Sequence, residues 1–273
     1  MAKTWFITGA SRGFGREWTI AALERGDNVA ATARDTARLD DLVAQFGDKI
    51  LPIRLDVTDR DAVFSAVAAA HGHFGRLDIV VNNAGYGLFG MVEEISEAEA
   101  RAQFDANFFG ALSVTQAALP YLREQRSGHF LQVSSNGGIV TGPEVSVYTA
   151  TKWALEALSQ SLASEVAGFG IKVTLIEPGY YGTDFAGSSQ KRAAANPAYA
   201  AFREEVDRER KALYPDPGDP AATREAVLQV VDADEPPLRI FFGDGPLALA
   251  EEEYESRLAT WRAWEPVSIA AHG

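Results

Sequence analysis

Three residues in this 273-residue chain have the types and the spacing for proton transfer: Ser135, Tyr148 and Lys152. Ser135 follows an apolar run, Phe130-Leu131-Gln132-Val133, that reads as a buried strand. Tyr148 and Lys152 stand four apart where a helical stripe begins, carried on by Leu155, Leu158, Leu162 and Val166. They therefore share one face of a helix that starts near Ser146. A free phenol titrates near pH 10 and is a poor base at neutral pH. An ammonium ~5 Å away, at an effective dielectric of ~20, favours phenolate by roughly 3 kcal/mol, about two pKa units. That brings the phenol into the range useful for acid–base work, with Ser135 beside it to hold a substrate oxygen. The same residues also suit plain structure, with Tyr148 a half-buried helix aromatic and Lys152 paired to Glu156 at the surface. This stretch alone leaves both readings open.

The elements that must position these residues alternate along the chain. An apolar strand at 4–8 leads into Thr8-Gly9-Ala10-Ser11-Arg12-Gly13-Phe14-Gly15, and a helix follows until Gly26. Glycines in that setting let backbone approach a pyrophosphate, which the helix N-terminus then binds; a tight turn with close helix packing would need the same glycines. The second strand, 29–33, ends at Arg34 rather than at the acid an NAD site places on the ribose. Arg12 and Arg34 can converge on a 2′-phosphate, which favours NADP(H), although Asp35 stands ready to neutralise Arg34 and both arginines also suit a solvated surface. Strand 50–55 ends at Asp56, an acceptor for an adenine amino group or a loop cap, and Asp59 N-caps a helix over 60–74. Strand 77–81 precedes Asn82-Asn83-Ala84-Gly85. A long helix is expected over 96–123, kinked at Pro120, with Asn107 interrupting its apolar side as a buried structural amide.

Strand 171–176 leads through Pro178-Gly179 to Tyr180, Tyr181, Thr183 and Phe185. Residues 186–219 then shift in composition and read as a lid carrying a helix at 198–213. A helix at 220–232, a strand at 238–242 and a tail helix within 246–273 complete the chain; Leu247, Tyr254, Leu258 and Trp261 give the tail a core or subunit-contact face. This alternation predicts an α/β fold: one Rossmann-like domain over 1–273, with a doubly wound parallel sheet and the lid inserted after its sixth strand.

Composition narrows the partners. The net charge is −13, Asp and Glu outnumbering Lys and Arg 38 to 25, which argues against nucleic acid and anionic membranes. With no cysteine there is no thiolate nucleophile or thiolate metal site, and His71, His73, His129 and His272 lack ligand spacing, so no metal is expected. No signal-peptide pattern and no apolar run of 18 residues occurs, so a cytoplasmic protein is expected. Nucleophile-elbow, zinc-protease and P-loop motifs are absent.

With these residues placed, the chain resembles the classical short-chain dehydrogenase/reductase family over roughly 4–185. The likeness rests on TGASRGFG (8–15), Asp56-Val57, NNAG (82–85), Asn107, Ser135, YTATK (148–152) and PGYYGT (178–183), in that order, with thirteen residues from Ser135 to Tyr148. The resemblance implies that Tyr148 is the general acid in reduction and the base in oxidation. It implies that Lys152 lowers the phenol's pKa and bonds the nicotinamide ribose, that Ser135 orients the carbonyl or hydroxyl, and that Asn107 holds a water linking Lys152 to solvent. It places Gly9, Ser11, Arg12, Gly13, Phe14, Gly15, Arg34, Asp56, Val57, Asn83, Ala84, Gly85, Lys152, Pro178, Gly179 and Thr183 along the cofactor, above strand residue Ile7, and implies a homodimer or homotetramer. Ser135, Asn136, Val145, Tyr180, Tyr181 and Phe185, with Phe89 nearby, would face a medium-sized, partly apolar small molecule. Asn136 and Glu144 are polar where many relatives are apolar; they would bond a polar substrate or face solvent. The leading expectation is an NADP(H)-dependent carbonyl reductase or alcohol dehydrogenase. An enzyme of epimerisation, dehydration or rearrangement, or a nucleotide sensor without turnover, are the alternatives.

Overall fold

Successive strand residues bury opposite faces, and nearly all of them are apolar. Trp5 and Ile7 point into one core and Phe6 into the other; Val29 and Ala31 oppose Ala30, and Leu131 and Val133 oppose Phe130. A strand apolar on both faces belongs in a parallel sheet covered on both sides. The computed structural model describes residues 2–183, 190–213 and 215–272. In it seven strands form one parallel sheet: β1 (Thr4–Ile7), β2 (Asn28–Ala33), β3 (Ile50–Arg54), β4 (Ile79–Asn82), β5 (Gly128–Val133), β6 (Ile171–Pro178) and β7 (Arg239–Phe242). Their order is 3-2-1-4-5-6-7, every pairing parallel.

Helices cover both faces. α1 (Gly13–Glu24), α2 (Asp40–Phe46) and α8 (Thr223–Asp232) contribute Trp18, Leu42 and Val227 to one core. α3 (Arg60–Phe74), α5 (Gly110–Gln125) and α6 (Ser146–Val166) contribute Val67, Leu122 and Leu162 to the other. Connections from β1 run to opposite sides, so the strand order reverses between β1 and β4. A crevice opens at such a switch point, beyond the carboxyl ends of the strands. α7 (Ala200–Leu213) and α9 (Pro246–Ala270) are additions to this frame, and a two-stranded parallel ribbon pairs Leu88–Phe89 with Lys191–Arg192. No described helix is long and apolar enough to cross a membrane.

The helix expected over 96–123 is two helices, α4 (Glu97–Phe104) and α5, joined by a π-helical turn over Asp105–Phe109. The irregularity falls there, and Pro120 lies inside α5. Asn107 explains the position, because its buried side chain holds the turn against Tyr86 and Thr151. Asp59 caps α3 as expected, accepting from Ala62 N at 3.0 Å.

One core group makes the sheet pH-sensitive. His129 on β5 is buried, its Nε2 2.9 Å from Thr174 Oγ1. That hydroxyl already donates to Pro237 O at 2.7 Å, so the imidazole must be the donor and Nδ1 stays bare, without a partner. Burial, with Lys172 and Lys3 nearby, pushes His129 down to about 3. The unfolded chain takes up this proton near pH 6.5 and the folded chain only near 3, so stability falls as pH drops through that window. Thermal unfolding midpoints of a His129→Gln variant should lose this slope between pH 6.5 and 4; an unchanged slope would assign it to other groups.

Candidate active site

The crevice is a cleft of about 1650 Å³ running from the Gly9–Gly13 turn across the strand ends to α7. Its first wall is the glycine turn. Gly9 and Gly13 adopt positive φ of +67° and +52°, a region other residues enter at a cost. Gly15 is required by proximity, since a Cβ there would lie 2.4 Å from Gly9 O and 2.5 Å from Asn83 Nδ2. The turn is tied to the end of β4: Asn83 Nδ2 donates to Thr8 O at 2.9 Å and Gly9 O at 3.2 Å, and Thr8 Oγ1 accepts from the backbone of Asn83 and Ala84. Thr8 completes that clamp by donating to Val81 O. Sequence reasoning assigned Thr8 no role; its hydroxyl, at the last step before the glycines, was the available signal.

Ser11, Arg12, Phe14, Arg34, Asp56, Val57, Asn83, Ala84, Gly85, Pro178, Gly179 and Thr183 all line this part of the cleft. Asp35 turns to Ala37 N and to Arg38, 3.7 Å away, so it does not neutralise exposed Arg34. Asp56 Oδ1 accepts from Thr58 N and Oγ1 and so caps the loop. Positive-φ glycines, a helix N-terminus facing the cleft and two rim arginines fit a phosphate-bearing dinucleotide. Among the described residues no cluster of His, Asp or Glu fits a metal ion.

At the centre lie the three proton-transfer candidates. Ser135 follows β5; its Oγ accepts from Gly137 N at 3.0 Å, and its single proton serves either Asn136 Oδ1, 3.2 Å away, or the phenol oxygen of Tyr148 when that ionises. Tyr148 and Lys152, on the first turns of α6, are 8% and 7% exposed. Lys152 Nζ lies 5.8 Å from the Tyr148 ring centre and donates to Val133 O at 2.7 Å. The expected depression of the phenol is not what this geometry produces: burial pushes Tyr148 up to about 12, the Ser135 bond opposing it. Burial likewise draws Lys152 down to about 8, Glu156 opposing it. Lys152, drawn down to about 8, has lost its charge before a phenol at about 12 ionises, so desolvation prevails. Asn107, behind the cleft, spends its amide on Tyr86 N, Tyr86 O and Thr151 Oγ1.

Asn136, Val145 and Tyr180 line the far end; Phe185 lies outside the described residues. Tyr181 also borders the cleft, but its ring is built into the wall, edge-on to Phe14 at 5.0 Å and pressed by Gly218 and Gly243. Glu144 meets neither expectation made for it. Its carboxylate is fully buried at a positive φ of +67° and takes Arg203 and, at 2.8 Å, Arg210 of α7. Glu94, held down to about 2 chiefly by Arg203, shares that guanidinium at 2.6 Å.

The sequence model of the short chain dehydrogenases matches residues 3–194. The chain belongs to that family. Oxidoreductase BOA17 of Botryotinia fuckeliana is 43% identical over 99% of this chain and 100% of its own. A short-chain dehydrogenase structure from Streptomyces avermitilis superposes with a TM-score of 0.92 at 42% identity, covering 99% of each chain. An alcohol dehydrogenase from Thermococcus sibiricus, solved with 5-hydroxy-NADP, superposes at 0.74 with 27% identity, over 89% of this chain and 96% of its own. Membership makes this chain an oxidoreductase of the short-chain dehydrogenase fold, and the seven-stranded sheet agrees.

The ion pairs at Glu144 give α7 its seat against the family core. Glu144→Ala should raise amide hydrogen exchange across α7 about tenfold or more while α6 keeps its protection. Unchanged protection in α7 would show that other contacts hold it.

Proposed function

We propose that the protein reduces a carbonyl on a medium-sized, partly apolar small molecule, or runs the reverse alcohol oxidation, with NADP(H). The observation that carries this is the hydrogen-bonded Ser135–Tyr148 pair over buried Lys152, set in the same cleft as the glycine turn. A nicotinamide dinucleotide, its phosphates held at that turn, would supply the hydride for the carbonyl carbon. Tyr148 gives its proton to the carbonyl oxygen, which Ser135 orients. A phenol pushed up to about 12 holds that proton at neutral pH, which suits the reductive direction. Lys152, directed to Val133 O, is within reach of a change of partner that would bring its charge to the developing phenolate. Arg12 and Arg34 at the adenosine end support NADP(H) over NAD(H), since guanidinium forks match a 2′-phosphate.

Tyr180, Val145 and the apolar side of α7, with Val206 and Leu213 lining the cleft, support the partly apolar substrate and a lid role for α7. The exposed Tyr254, Leu258, Trp261 and Trp264 of α9 support a homo-oligomer. Glu144's engagement with α7 removes half the motive for a non-redox reaction.

Two measurements test this reading. Tyr148→Phe should lose carbonyl reduction by ~10²–10⁴-fold while NADPH still binds, as read by fluorescence titration; retained turnover would refute the proton donor. Arg34→Ala should raise the KM for NADPH about tenfold and leave that for NADH nearly unchanged; equal effects on both would refute the 2′-phosphate role.

A further inference from the structure

Below Lys152 lies a buried group of charges that the proposed chemistry does not use. Glu156, one helical turn along α6, is 6% exposed, and Glu177, near the end of β6, is 1% exposed. Arg239 of β7 approaches both, 2.9 Å from Glu156 Oε2 and 3.6 Å from Glu177 Oε1. Two carboxyl oxygens, Glu156 Oε1 and Glu177 Oε1, are buried without a hydrogen-bond partner. Ser134 Oγ and Ser159 Oγ nearby are also unpartnered. The turn after β5 is pressed onto the group, since a Cβ at Gly138 would come 2.6 Å from Ser134 Oγ and 3.0 Å from Glu156 Oε1. The charged and titratable groups facing the pair are therefore Lys152 from α6 and Arg239 from β7, with the Ser134 and Ser159 hydroxyls and Gln160, which binds Arg239. Two ionised carboxylates packed together with bare oxygens and one partly exposed guanidinium are costly; a single proton between them removes that cost.

We propose that Glu156 and Glu177 hold one proton between them, and that the negative charge, resting on Glu156 one helical turn from Lys152, keeps the buried Lys152 ammonium ionised, so that Glu156 is a positioning residue for Lys152. The consequence for catalysis rests on the role proposed above for Lys152; the shared proton does not. The register fits. Lys152 donates to Val133, Val133 pairs with Ile176, and Glu177 is the next residue along β6. Burial and then Glu156 push Glu177 up to about 8, against Arg239, and Glu156 counters the burial that lowers Lys152.

The test uses Glu156→Gln and Glu177→Gln in the full chain, with two readouts that need no turnover. The first is urea unfolding against pH. A carboxyl raised from about 4.5 to about 8 on folding contributes stability that is fully present below about 4.5 and lost as pH rises through about 8. His129 opposes this below 6.5, and Lys152, drawn down to about 8 in the fold, opposes it as pH approaches 8, so the clean window is about pH 6.5 to 7.5. Wild type should lose stability across it, and Glu177→Gln should not; a flat wild-type curve, or the same slope in the variant, overturns the shared proton. The second readout is the titration of Lys152 followed by its Cε shift in ¹³C-lysine-labelled protein, assigned with Lys152→Arg. Glu156→Gln should lower its midpoint by about one unit, a tenfold fall in the ammonium-to-amine ratio at fixed pH, and Glu177→Gln should leave it in place. An unchanged midpoint in Glu156→Gln overturns the positioning role. Should Glu156→Gln fail to fold, the Glu177→Gln unfolding slope still decides the shared proton, and a Glu156→Asp variant with a midpoint at the wild-type value supports the role while a lowered one overturns it. Because neither readout involves catalysis, a failure here is separate from a failure of Tyr148 as proton donor.

Discussion

A lysine ammonium taken out of water at the end of a parallel sheet is the constraint around which this site is arranged. Lys152 is almost wholly buried, and burial alone disfavours its charge. What the fold supplies in return is a backbone carbonyl, Val133 O, and a carboxylate one turn away on the same helix. The same desolvation acts on Tyr148 in the opposite chemical sense, holding the phenol protonated. Two neighbouring groups are thus both biased toward their neutral forms, and a site poised in this way changes protonation state through small changes of hydrogen-bond partner.

The rest of the fold delivers these groups to one place. Strands buried on both faces force a parallel sheet, and its reversal of order between β1 and β4 opens the cleft. Thr8 and Asn83 fasten the glycine turn to β4, so the region fit for phosphates and the region fit for proton transfer share one rigid floor. The π-helical turn around Asn107 ties the loop bearing Tyr86 to α6 at Thr151, next to Lys152. α7 is joined to this floor through Glu144 and Glu94, placing arginines where a purely apolar contact would leave the insertion free to slide.

Much of this was legible in the sequence because it depends on local spacing. The alternation of strands and helices, the cap at Asp59, and the shared helical face of Tyr148 and Lys152 follow from periods of two and 3.6. What escaped depends on distance in the chain. Glu144 looked like a solvent or substrate contact because its partners, Arg203 and Arg210, lie about sixty residues away. Asp35 looked like a neutraliser of Arg34, yet it caps its own turn. Tyr181 borders the cleft, and its packing against Phe14 and the glycines at 218 and 243 was equally out of reach of local spacing. The direction of Lys152 Nζ, toward Val133 O, could not be read from a four-residue spacing at all, nor could the depth of burial that draws the amine down. The π-helical turn at Asn107 also escaped, because it depends on partners at Tyr86 and Thr151 that the helical spacing does not show.

The most direct test of the central claim is an ultraviolet difference titration of tyrosinate, wild type minus Tyr148→Phe, with and without NADP⁺. Alone, the protein should show no ionisation of Tyr148 below about pH 10, in keeping with a phenol pushed up to about 12. With NADP⁺ present the ionisation should move down by about two units or more, as Lys152 exchanges Val133 O for a position that acts on the phenol. An ionisation that stays near 12 in both states would contradict the account.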